Sequence, residues 1–181
     1  ACRSRRAGHT AFVLGAVAFA VLATGNAGGY RYGTSDQAFY VPVIRHALDA
    51  AAFPRDGVLI DAQGRFMVLD EGIAAIVRAT HLSLPHVFLG GYLLSLALIW
   101  SAIVLVGARV YRSAWATATL GAAFTLRHRI PETSANSFEP YFHPRMLAFG
   151  LGLLAVAAVQ RGRTWIAVAL VALVAVVHIT T

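Results

Sequence analysis

The sequence predicts an all-α protein: a polytopic bundle of transmembrane helices with amphipathic interfacial helices in its first outer loop. Three observations carry that prediction. Of 181 residues, 58% are hydrophobic and 13% charged, where a soluble domain carries about 25% charged residues. The apolar residues gather into five runs separated by polar stretches. The surplus positive charge falls on one side of those runs.

The first run, about 10–29, holds no charge. Twenty residues at about 1.5 Å each reach roughly 30 Å, the thickness of the hydrocarbon layer. Asn26, Gly28 and Gly29 end it. Residues 11–23 behind Arg3, Arg5 and Arg6 also have the layout of a signal peptide, but the later runs favour an anchor that stays in place. Residues 30–84 form the longest polar segment. Within 36–52, Phe39, Val43, Ala47 and Leu48 recur near helical spacing, and Pro42 either kinks that helix or limits it to the part after Tyr40. Within 66–80, Phe66, Leu69, Ile73, Ile76 and Val77 make one apolar stripe with Asp70, Glu71 and Arg78 mostly off it. Asp61-Ala-Gln-Gly64 between them reads as a turn. Two such helices beside a bilayer are expected to lie in its interface.

The second run, about 85–108, opens at Pro85, a residue suited to a helix start, and closes at Arg109 and Arg112. The third, 113–126, is the shortest and is rich in Ala and Thr. A second polar loop, 127–144, follows. The last runs, about 145–160 and 164–178, are separated by Arg161-Gly-Arg163.

Five spans sort the charges. Arg3, Arg5, Arg6, Arg109, Arg112, Arg161 and Arg163 share one side with no acidic residue, and the other eight Arg share the opposite side with all eight Asp and Glu. The net charge of +7 thus lies in three short stretches, which the positive-inside rule puts in the cytoplasm with the N-terminus. Scattered turn arginines of this kind orient a membrane protein, and they exclude nucleic acid as the reason for the charge. If 113–126 does not span, Arg127 and Arg129 stay cytoplasmic and the last two spans invert. The single cysteine, Cys2, excludes an internal disulfide and a thiolate metal cluster. P-loop, Gly-x-Gly-x-x-Gly, His-Glu-x-x-His and Gly-x-Ser-x-Gly patterns are absent from the sequence.

Candidate chemistry lies in the two outer loops. Asp36, just outside the first span, suits a general base or a divalent-metal ligand beside a lipid-borne substrate. A helix start capped by Thr34 or Ser35, with Asp36 favouring the positive helix end, explains it equally. Arg127, Arg129 and Arg145 stand on the outer side against the topology rule. They suit phosphate binding, or ion pairing with Glu132, Glu139 and the first loop. His128, Glu132, Glu139 and His143 are also candidates for a metal site, against which their spacing matches no helical zinc motif and Pro131 and Pro140 interrupt them. Glu139, His143 and His178 are candidates for lining a cavity between the loops; His178 also fits a plain interface residue.

The layout resembles the N-terminal part of GT-C-type membrane glycosyltransferases: a short cytoplasmic end, one span, a large outer loop with an early aspartate, two interfacial helices, then closely spaced spans. SDQAFYVPVI at 35–44, the Phe53-Pro54-Arg55-Asp56 break, FEPYFHPR at 138–145 and His178 followed by Ile-Thr-Thr look like a group of bacterial multi-pass proteins of that architecture. The resemblance implies an enzyme that takes a sugar from a polyprenyl-phosphate donor on the outer membrane face. It would use Asp36 as base or metal-associated residue and Arg127, Arg129 and Arg145 on the donor phosphate. Many members carry two near-adjacent acids in this loop, whereas Gln37 follows Asp36 here. A base-only mechanism, with no cofactor and a divalent metal optional, fits this sequence better. The expected setting is the plasma membrane, with the lipid bilayer and a polyprenyl-phosphate-linked sugar as partners. A transporter and a non-catalytic scaffold or assembly protein are the competing functions, and the chain is expected to be a fragment of a longer protein.

Overall fold

The computed structural model describes residues 2–65, 68–126 and 138–178, with side chains from residue 10 onward apart from Gln63. The described residues form eight helices and no strand: α1 (Cys2–Asn26), α2 (Gln37–Leu48), α3 (Gly57–Gly64), α4 (Val68–Thr80), α5 (Leu84–Val110), α6 (Ala114–Phe124), α7 (Pro144–Val159) and α8 (Thr164–Val177). The chain is therefore all-α, as its apolar runs predict. Each run becomes a helix whose ends fall within a few residues of the expected ones, apart from the start of α1, which extends back to Cys2. Of these, α5 alone is long and apolar enough to cross a membrane by length and composition. Thr10–Asn26, α7 and α8 are apolar but shorter, and α6 has 11 residues.

Local chemistry explains the ends. Gly28 and Gly29 take positive φ values of 89° and 88°, which stop α1 at no steric cost. Ser83 is extended, with φ −67° and ψ 148°, and Pro85 follows inside the first turn of α5. Ser113 caps α6 by accepting a bond from the Ala116 amide.

The long helices alternate in direction. Thr24, near the end of α1, meets the Tyr92 hydroxyl near the start of α5 at 2.9 Å. Asn26 donates to Thr125 just past α6 at 3.1 Å, so α6 ends beside the end of α1. Arg161 after α7 donates to the Leu105 carbonyl of α5 at 2.7 Å, so α5 and α7 run together and α8 returns. One end of the bundle therefore carries Arg109, Arg112, Arg161 and Arg163. The other carries α2, α3 and α4.

Trp100 is the central packing residue. It is 8% exposed and donates through Nε1 to the Phe12 carbonyl at 3.1 Å. A Cβ on Gly15 would sit 2.4 Å from its ring, so only glycine lets α1 approach α5 this closely. At the other end, a Cβ on Gly91 would sit 2.8 Å from the Phe142 ring. That contact seats the 138–143 segment against α5.

The cap of short helices differs from expectation in one element. Asp61-Ala-Gln-Gly64, read as a turn, is the second half of α3, and three short helices stand where two were expected. Pro42 lies inside α2 without limiting it to the part after Tyr40. It is six residues into the helix, past the first turn, and it lacks the N–H that would close one ladder bond. Phe66, Arg127, His128, Arg129, Pro131, Glu132 and the Ile-Thr-Thr end lie outside the described residues.

Candidate functional site

The site forms where residues 30–40 meet residues 138–145. Hydrogen bonds tie the segments. The Arg31 amide donates to the Pro140 carbonyl at 2.6 Å. Gln37 donates through Nε2 to the Phe142 carbonyl at 2.9 Å, while its Oε1 accepts from the Gly33 amide at 2.7 Å. His143 Nε2 lies 2.9 Å from Asp36 Oδ2. Gln37 is wholly buried, so its amide bridges two backbone segments that would otherwise hold unpaired groups away from water.

The geometry around His143 fixes its protonation. Nδ1 accepts the Arg145 amide at 2.9 Å, capping α7, and a ring nitrogen that accepts carries no proton. The neutral ring therefore bears its proton on Nε2 and donates it to Asp36. The His143 pKa falls to about 4, chiefly through burial, with Arg145 lowering it as well and Asp36 partly offsetting both. The ring stays neutral at ordinary pH. The Tyr40 hydroxyl stands 3.4 Å from the same Nε2, and burial followed by the Asp36 charge raises its pKa to about 12, so it remains protonated.

Asp36 occupies the position preceding α2, but its carboxylate makes no capping bond. It lies at the positive helix end and spends Oδ2 on His143. Thr34 Oγ1 is buried without a partner, so the Thr34 cap is not formed. The Asp36 side chain is 44% exposed while that of His143 is 2%. The carboxylate thus faces outward from a buried anchor.

The structure brings together Asp36, Glu139, His143, Arg145 and His178. Arg145 lies 3.9 Å from Glu139, with a third of its side chain exposed, and the His178 ring is 5.9 Å from the His143 ring. Glu139 and His143 are buried. Arg127 and Arg129, the other two phosphate-binding candidates, lie outside the described residues. Among the described residues no group of three His, Cys, Asp or Glu side chains is placed to hold a metal ion.

Two residues here were not singled out by sequence reasoning. Gln37 was seen only as the residue standing where a second acid is expected. Asp70 of α4 was placed off the apolar stripe, yet it is 3% exposed. No protein-family model, curated protein or solved structure matches the chain.

Proposed function

We propose that this chain is part of a multi-pass protein of the plasma membrane, N-terminus in the cytoplasm, that transfers a sugar from a polyprenyl-phosphate donor at the outer face, with Asp36 as general base. The observation that carries the proposal is a half-exposed carboxylate held by a buried, neutral histidine, with the Arg145 guanidinium close by.

Several features support the membrane setting. The 27-residue α5 is about 40 Å long. Leu14, Val17 and Val21 of α1, and Val168, Val171 and Val176 of α8, are exposed apolar side chains on helix flanks. An apolar exterior of this kind suits lipid contact. Trp115 and Trp165, 85% and 86% exposed, open α6 and α8 at the arginine-bearing end, where indole rings favour a headgroup boundary.

In the proposed reaction the acceptor hydroxyl donates its proton to the free oxygen of Asp36. The hydroxyl oxygen attacks the anomeric carbon, and the bond from that carbon to the phosphate oxygen breaks. Polyprenyl phosphate leaves with the electron pair, its charge met by Arg145 and, in this reading, by Arg127 and Arg129. Because His143 donates to Oδ2, the other carboxylate oxygen is oriented for the acceptor. General-base catalysis contributes about 10²–10⁴-fold. Asp36→Asn in the full-length protein, assayed for glycan transfer in membranes, is expected to lose at least about 100-fold while the protein remains folded. Unchanged transfer removes the proposal.

One observation favours a second reading, a non-catalytic assembly protein. The same Asp36–His143 bond ties two outer segments together, as a structural link does. In that case Asp36→Asn lowers thermal stability and alters no chemistry.

A further inference from the structure

Asp70 stands apart from the cluster around Asp36. Its side chain is 3% exposed, and Oδ2 has no hydrogen-bond partner. A buried carboxylate oxygen with nothing to accept from is costly, so the site is incomplete as it stands. Asp70 forms part of the wall of a crevice of about 330 Å³, together with Val43, His46, Asp61, Arg65 and Glu71. On its other flank it borders a small void walled by Tyr40, Phe142 and Pro144. The crevice opens between α2, α3 and α4 and takes no part in the proposed transfer.

We propose that this crevice binds a small organic cation through a primary ammonium group, with Asp70 as its buried counter-charge and Asp61 and Glu71 at the rim. An ammonium supplies the missing donor and the missing charge in one group. A divalent metal does not fit as well: it asks for six or more oxygens, and no three such side chains among the described residues converge to hold one. The volume leaves room for an aminoalkyl group.

The wall residues set the pH behaviour. His46 on α2 donates through Nδ1 to the Ala52 carbonyl at 2.8 Å and has Nε2 3.5 Å from Asp61. Tyr40 on α2 feels the Asp70 charge. Arg65 follows α3, Glu71 adjoins Asp70 on α4, and His178 follows α8, which packs against α4. Burial raises the Asp70 pKa from 3.8 to about 7. The carboxylate is therefore largely protonated at about pH 6 and ionised at about pH 8, and cation binding, which needs the ionised form, strengthens about tenfold over that range.

The test uses the full chain in detergent with ¹³C-labelled aspartate, following the Asp70 carboxyl signal. Methylammonium is titrated at matched ionic strength against tetramethylammonium, which has no N–H to donate. The expected result is a saturable shift with methylammonium at about pH 8, about tenfold weaker at about pH 6, in the signal that Asp70→Asn identifies by its absence. That variant removes a buried charge and is expected to fold. Arg65→Gln is expected to keep or tighten the response. No saturable shift, an equal response to tetramethylammonium, a response to magnesium alone, or loss of the response in Arg65→Gln would each overturn the assignment.

Discussion

Two ionisable side chains at the end of the molecule that carries α2, α3 and α4 are buried to nearly the same degree and are treated in opposite ways. His143 is 1% exposed and Asp70 3%. His143 has a partner on each ring nitrogen, whereas Asp70 has an oxygen with none. Burial acts on both against the charged form. For His143 that favours the neutral ring, which its two bonds suit. For Asp70 it favours a protonated acid that no neighbour has replaced with a bond. A complete network fixes one geometry, and an incomplete one leaves a buried polar group at a cost.

The comparison predicts opposite responses to pH. Asp70 has a folded pKa of about 7 against an ordinary 3.8. Its contribution is therefore intact below about pH 4 and is lost as pH rises through about 7. A shift of that size corresponds to about 4 kcal/mol at full ionisation. Asp70→Asn is expected to raise stability by up to that amount at about pH 8 and by nothing at about pH 4, read from thermal melts of the solubilised chain. An unchanged or lower melting temperature at the higher pH would mean that Asp70 has a partner after all.

His143 runs the other way. Its pKa falls from 6.5 to about 4, so its contribution is present above about pH 6.5 and is lost as pH falls through about 4, by about 3 kcal/mol. The two windows overlap, and the effects oppose each other. The unmodified chain should therefore change little in stability between about pH 4 and 6.5, while Asp70→Asn should lose about 3 kcal/mol across the same interval. Parallel pH profiles for the two proteins would break the comparison. A smaller effect belongs to Gln37. Gln37→Leu leaves the Gly33 amide and the Phe142 carbonyl without their partner, at a cost of about 2 kcal/mol, with the pH dependence unchanged. A change in its slope would mean that Gln37 also governs His143.

The sequence revealed the helices well, because a run of apolar residues bounded by Gly, Pro or Arg has few alternatives. It also placed residues 30–56 and 127–145 on one face, and the Asp36–His143 bond, which joins residues 107 apart in sequence, lies at that meeting. The bond itself was not legible, since no local pattern links residues so far apart. Gln37 was passed over because its role depends on the Phe142 carbonyl, a backbone atom that no side-chain motif describes. Asp70 was misplaced for a physical reason. The apolar stripe of α4 assumes one covered side, but α2 and α5 both pack on this helix, so a position beside the stripe is buried as well. Asp61-Ala-Gln-Gly64 became helix where its composition suggested a turn, with Gly64 packed closely against Val43.

The central claim is that His143 is neutral, carries its proton on Nε2, and presents Asp36 as an oriented carboxylate. Nitrogen-15 NMR of the histidine-labelled full chain tests this directly, with His143→Gln used to assign the signal. At about pH 6, where a free imidazole is mostly protonated, His143 should show one protonated and one unprotonated nitrogen, the protonated one being Nε2, and Asp36→Asn should perturb that Nε2 signal most. A ring protonated on both nitrogens at that pH, or one carrying its single proton on Nδ1, would contradict the account.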